Sequence, residues 1–433
     1  MRKRLGIAAL LFLSIWTCAG CKSKTEDSES METATKSLAV SGLEVKPEEG
    51  AEIVRDASLF IAPKENQEYQ EGFDHQYWVA RTNDSSISAA ETMDSVYFLA
   101  YDFLYVYDKE SNQAALLCND PTCQHAYLSD CNALMSSEGS DFLQYYNGYL
   151  YTLVAKEESS PGTKKEHLDL YRVSLDGTTR EFVCRLATSI GVPNSQYNIY
   201  NIYDAAIHRG YLYYIYAYGS GEEESNYYVN KSNVLYRISL EQPAQPEAIC
   251  AMEPGGDWHS IQLEGHGSYL YFNRTGKENE LYRYNTESNQ LEYMNVTGAV
   301  FYAVCNDQII YYRISEPDCY FYYDMKSGEE GIFYQAEEEA EYTVGYFVWD
   351  GTYFSQLLMY EDRDCILICD ENLKEITRYV SSAKGAFYLS YYFRDKNIVI
   401  NGLGPDSEGV WSYFDKDNFS EGEQSMKEAK ACR

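Results

Sequence analysis

Aromatic and apolar residues come in short runs bounded by turn residues, and the runs come in pairs. The clearest pair is Tyr149-Leu150-Tyr151 followed by Leu170-Tyr171-Arg172-Val173-Ser174. It returns as Tyr211 to Tyr216 (YLYYIY) with Val234 to Ser239 (VLYRIS), and again as Tyr269 to Asn273 (YLYFN) with Leu281 to Asn285 (LYRYN). A Gly or Asn-Gly turn precedes each first run, with Asn147, Arg209 and His266 taking the same place in it. Alternation over so few positions has the period of a strand, and the turn between runs marks a hairpin. Tyr suits such strands because its ring packs across the pleat while its hydroxyl reaches a polar rim.

After a first hairpin at Ser95 to Lys109, further units span 141–186, 200–252, 258–296, 299–336, 342–380 and 383–419. Equivalent turn residues lie 40 positions apart from Gly267 to Asp307, 44 from Asp307 to Gly351 and 45 from Gly351 to Lys396. A period of about 40 to 50 residues with three or four strands per unit is that of a propeller blade. The expected fold is therefore all-β, a single β-propeller of about seven blades over 51–425, with six to eight compatible with the spacing. A sandwich of the same strands gives no reason for the period. The last unit lacks a fourth strand after Val410 to Phe414, and Glu52 to Ala62 is the expected donor that closes the ring, since closure removes an open sheet edge. Residues 426–433 read as a polar tail.

The repeat overrides the several domains that 433 residues would otherwise suggest. A formal charge of -32 excludes nucleic-acid binding through phosphate neutralisation. Arg2-Lys3-Arg4, the apolar Leu5 to Trp16 and the small residues of Cys18-Ala19-Gly20-Cys21 form an export signal over 1–20, too short for a spanning helix. It resembles the lipobox of bacterial lipoproteins, although Cys18 stands where that family usually has Leu. The resemblance implies lipidation of Cys21 and attachment to the outer face of the cell membrane; the alternative is plain secretion. Residues 21–50 hold the Cys and a tether rich in Ser, Thr, Glu and Lys, too polar to offset its ordering entropy.

The couplets and the lipobox together resemble the Tyr-rich propeller lipoproteins of Gram-positive bacteria, a family of unknown function, and are more distantly similar to YWTD-type propellers. What these resemblances imply is surface binding, by analogy of fold alone.

One cluster carries chemistry. Cys118, Cys123, His125 and Cys131 fall within 14 residues, in the pattern C-x4-C-x-H-x5-C. Three thiolates and an imidazole suit a closed tetrahedral zinc site of structural type, though the spacing matches no standard pattern. A disulfide between two of the three, or inert buried thiols, are the competing readings. Cys365 and Cys369, on one face of a strand, read as small core residues. Among catalytic signatures there is no G-x-S-x-G elbow, Gly402-Leu403-Gly404 is too short for a phosphate cradle, and Asp415, Asp417 and Glu421 lack the spacing of a calcium loop. Two functions follow from different classes. One is a cell-surface binding or scaffold module for a glycan, peptide or protein. The other is an extracytoplasmic carbohydrate-active hydrolase, which requires a converging carboxylate pair.

Overall fold

The chain is a seven-bladed β-propeller in a computed structural model that describes residues 69–81, 89–100, 103–125, 131–135, 142–160, 163–191, 202–221, 228–241, 246–252, 262–274, 279–305, 307–336, 342–360, 364–380, 387–402, 410–425, 427–428 and 430–432. The export signal, Cys21, the tether and Glu52 to Ala62 lie outside these residues. Each blade is an antiparallel meander whose strands follow one another from the channel outward. In chain order the blades run from Ala89–Glu91 to Gln113–Leu116, Leu143–Tyr146 to Arg180–Gly191, Ile202–His208 to Glu247–Met252, and Leu263–His266 to Gln290–Thr297; then Ala299–Cys305 to Glu330–Gln335, Tyr342–Trp349 to Glu375–Val380, and Phe387–Tyr392 to Lys427–Glu428. We number them I to VII. Among the described residues no helix is long and apolar enough to cross a membrane.

The hairpins explain the repeat. In blades II and III the first two strands are joined by two residues, both with positive φ: Asn147 (49°) and Gly148 (81°), Arg209 (46°) and Gly210 (84°). Such turns match the twist of the strands they join. In blade IV the two linking residues are Gly267 and Ser268, since His266 pairs with Tyr269 as the last residue of its strand. His266 therefore corresponds to Tyr146 and His208, one position earlier than the sequence alignment of turns suggests.

The continuous aromatic runs reflect burial on both faces, which removes the usual polar alternation. On the second strand of blade III, Leu212, Tyr214 and Tyr216 pack toward blade II, while Tyr213 and Ile215 pack toward blade IV. Seven such apolar clusters, one at each interface between neighbouring blades, complete the circle. The Arg of the repeated Leu-Tyr-Arg has its own place. Arg172 lies 3.9 Å over the Tyr149 ring and pairs with Glu181 at 2.6 Å. Arg237 with Tyr211 and Glu247, and Arg283 with Tyr269 and Glu292, repeat the arrangement.

Closure uses both chain ends. Ala80–Arg81 pairs along the channel side of Phe387–Tyr392 in blade VII. Past a 3-10 segment at Lys416–Ser425, Lys427–Glu428 supplies the missing outer strand of blade VII, and Lys430–Cys432 pairs in parallel with the outer strand of blade I. The polar tail is thus part of two sheets. Deleting 426–433 should cost roughly 3 kcal/mol, from the net worth of the ladder hydrogen bonds of five paired residues and the edges they leave open. Urea unfolding of the truncated chain checks this; an unchanged midpoint would show that the tail does not hold the ring.

Candidate metal centre and channel-mouth pocket

The four residues singled out in sequence come together. Their ligand atoms, one per residue, all lie within 4.8 Å of one another, and His125 Nδ1 is 3.4 Å from Cys131 Sγ. A tetrahedral zinc with bonds of about 2.0–2.3 Å separates its ligand atoms by about 3.5–3.8 Å, so only small adjustments are needed. The nine cysteines whose side chains are described, these three among them, carry no disulfide.

The backbone prepares the sulfurs for charge. Each accepts an N–H from the residue two positions later: His125 N–H donates to Cys123 Sγ at 3.4 Å, and the amides of Asp120 and Ala133 serve Cys118 and Cys131. A positive φ of 52° at His125 turns the chain so that its amide and ring face the same cluster. Burial alone would raise the Cys118 thiol, but the Asp120 and Asn132 amides and the neighbouring thiols outweigh it and leave it below its ordinary value. Burial pushes Cys131 up to about 12, and the adjacent Cys118 and Cys123 add to the rise. One thiolate is tolerated, and a second needs a cation beside it.

The loop has a fixed seat. Cys131 and Ala133 are buried with Phe103 in a small cluster outside blade I. Leu104 N–H donates to Ala133 C=O at 2.7 Å, while Asn132 and Arg180 hold the loop to blade II through Gly177, Thr178 and Leu134 carbonyls. Gly177, at φ 71°, passes so close that a Cβ would sit 2.7 Å from the Leu117 carbonyl oxygen.

The second site was not singled out by sequence. Residues 69–79 form a strap across the channel mouth where the first hairpin turns of the blades gather. Gly72 C=O accepts from Asn147 N–H in blade II, and Phe73 C=O from Arg209 N–H in blade III. Asp74, 1% exposed, takes two hydrogen bonds from Arg209, at 2.9 and 3.4 Å. His75 N–H donates to His208 Nδ1 at 3.1 Å, and Gly265 N–H in blade IV donates to His75 Nδ1 at 3.2 Å. Gln76 clasps the backbone of Glu91 in blade I through both its amide groups, and Trp78 Nε1 donates to the Glu91 carboxylate. Beneath this rim, burial raises the Glu264 carboxyl well above its ordinary value, although Val304 N–H donates to it.

A cavity of about 280 Å³ remains between strap and rim, lined by Tyr69, Asp74, His75, Tyr77, Trp78, Gly265, His266, Gly267 and Arg394. Among the described residues that line it, the one carboxylate is that of Asp74, which Arg209 holds. The only advance sign was a stretch, Glu71 to Trp78, dense in both aromatic and charged residues but with no strand period. The other singled-out residues are structural: Cys365 and Cys369 are buried in blade VI, and Asp415 pairs with Lys396 and Lys427.

The two buried histidines make stability depend on pH. Burial lowers His75 to about 3 and His208 to about 4, so both stay neutral in the fold while the unfolded chain protonates near pH 6.5. Their contribution is complete above pH 6.5 and is lost as pH falls toward those values. The raised Glu264 carboxyl acts in the opposite sense, since the fold keeps a proton there that the unfolded chain gives up as pH rises. Stability should therefore fall as pH drops from 6.5 toward 5, and fall more steeply in Glu264→Gln, which lacks the opposing carboxyl. Urea unfolding at pH 7, 6 and 5 reads both slopes, and equal slopes would mean that Glu264 is ionised in the fold.

No family model matches the chain, and no curated protein does. Among solved structures, prolyl oligopeptidase B of Galerina marginata aligns over 77% of this chain and 49% of its own, at 13% identity and a TM-score of 0.48. A putative 6-phosphogluconolactonase of Bacteroides fragilis aligns over 84% and 98%, at 11% identity and 0.39. The β-propeller domain of the Trilobed protease of Pyrococcus furiosus aligns over 66% and 95%, at 12% identity and 0.34. The chain spans about half the length of the prolyl endopeptidases it matches.

Proposed function

We propose that this chain is a cell-surface binding module: an exported propeller, attached at Cys21 through a lipid to the outer face of the cell membrane, which takes a ligand at the strap-covered channel mouth. The observation that carries this reading is the composition of the channel-mouth pocket. Its described residues offer aromatic side chains and an arginine, while the single carboxylate among them is already committed to Arg209. A glycosidase needs two carboxylates free to serve as acid and as base or nucleophile. A preformed pocket with aromatic walls and a few polar groups suits recognition.

An array of glycans and peptides probed with residues 50–433, with product analysis on each hit, tests the module. Retention of an intact ligand is the expected result, and turnover would replace binding with hydrolysis. In the producing cell, Cys21→Ser should abolish labelling by a palmitate analogue and release the protein from the membrane fraction; retention of both would refute the anchor.

The Cys118, Cys123, His125 and Cys131 cluster holds a structural zinc in this reading. Four protein ligands leave no position for a substrate water, so the ion's part is to fix the loop that links blades I and II. Elemental analysis of protein purified without chelator should give one zinc per chain. His125→Ala should lose it and melt roughly 5 °C or more lower. A disulfide between any two of the three cysteines, with no zinc bound, would end the metal assignment.

A further inference from the structure

The channel-mouth pocket contains a cation that no neighbouring carboxylate claims. The Arg394 guanidinium makes no hydrogen bond or ion pair with any described residue, although its backbone N–H donates to Glu91 at 3.1 Å. It lies 4.3 Å over the Trp78 ring and 6.0 Å from that of Tyr69. The surrounding acids face elsewhere: Asp74 holds Arg209, and Glu91 and Asp395 both hold Lys109. Stacking on the indole fixes the guanidinium plane and leaves its hydrogen-bonding edge open.

A second donor follows from the hydrogen bonds of the strap. His75 Nδ1 accepts from Gly265 N–H, so in the neutral ring the proton sits on Nε2. That Nε2 is buried and has no partner. An orphaned buried donor in a pocket wall marks the place of an acceptor atom from a ligand or from a water beneath it. Tyr69, 39% exposed, offers an accessible aromatic ring beside both.

Size and charge narrow the ligand. About 280 Å³ admits a single ring rather than an extended chain. One unpaired arginine, with no lysine among the described lining residues, suits a monoanion whose two oxygens meet the guanidinium fork, and matches a phosphate dianion less well. Resting on the binding-module reading, we propose that this pocket recognises an acidic sugar of the uronic type, its carboxylate on Arg394 and its ring against Tyr69, with a ring oxygen or hydroxyl above His75.

Titration calorimetry and saturation-transfer NMR with D-galacturonate, D-galactose and benzoate test this. Galacturonate should bind with an affinity on the order of millimolar, and galactose at least about tenfold more weakly. Arg394→Gln should remove that difference without shifting the melting temperature, because the side chain is exposed, and Arg394→Lys should keep part of it. Equal binding of galactose and galacturonate, galacturonate binding unaffected by Arg394→Gln, or no binding of galacturonate would each overturn the proposal. So would benzoate binding as tightly as galacturonate. An array ligand retained equally by the wild type and Arg394→Gln would overturn the uronate site while leaving the binding module standing. Failure of every array ligand would remove the module itself.

Discussion

In blades I to VI the innermost strand has a backbone edge that faces the channel with no strand beside it among the described residues, and the fold depends on how that edge is satisfied. Unpaired backbone groups buried away from water are costly. At several steps round the ring a side chain from the preceding element reaches across. Gln144 serves both backbone groups of Ile207, Asp204 accepts from Leu263 N–H at 2.7 Å, and Glu264 accepts from Val304 N–H at 2.9 Å. Gln76 of the strap does the same for Glu91. These polar pegs do what apolar packing cannot, because packing between sheets is non-directional while a hydrogen bond sets the register of one blade against the next.

The strap extends the same solution to the channel mouth. Hairpin turns with positive φ present backbone N–H groups inward, and the carbonyls of Gly72 and Phe73 meet them. Once the chain is committed to that path, Asp74 and His75 are buried and need partners, which Arg209, His208 and Gly265 supply. Only Gly fits at 265, since a Cβ would come within 2.7 Å of the His208 ring. The pocket is what remains where the strap turns away toward blade VII.

The Cys118, Cys123, His125 and Cys131 cluster obeys a related constraint. The loop between blades I and II is too short of apolar residues to hold itself down by burial, with a cluster built on Phe103, Cys131 and Ala133. Amides directed at each sulfur, together with Asn132 and Arg180 reaching the neighbouring blade, give it a defined geometry. A dication there would add cross-links that the small cluster cannot supply.

Much of this was legible in the chain. The period of the Tyr-rich couplets determined the blades, because strand alternation and turn residues are local signals that each repeat states again. The spacing of Cys118, Cys123, His125 and Cys131 within one loop determined the candidate metal centre, since groups so close in sequence meet in space whatever the remainder does. The Leu-Tyr-Arg repeat was visible too, but its part in stacking on one strand's Tyr and pairing with the next strand's Glu was not. The closing strands at the C-terminal end were not legible, because Lys427–Glu428 and Lys430–Cys432 have no apolar pattern and form strands only where an existing edge awaits them. The pocket showed in the sequence only as the aromatic and charged stretch Glu71 to Trp78. Asp74, His75, Gly265 and Arg394 lie up to 320 positions apart and come together only when the ring closes. The sequence by itself determined whatever depends on neighbours along the chain, and the tertiary structure alone decided what depends on the circle, because a ring brings its first and last elements into contact only after every intervening blade has set its angle.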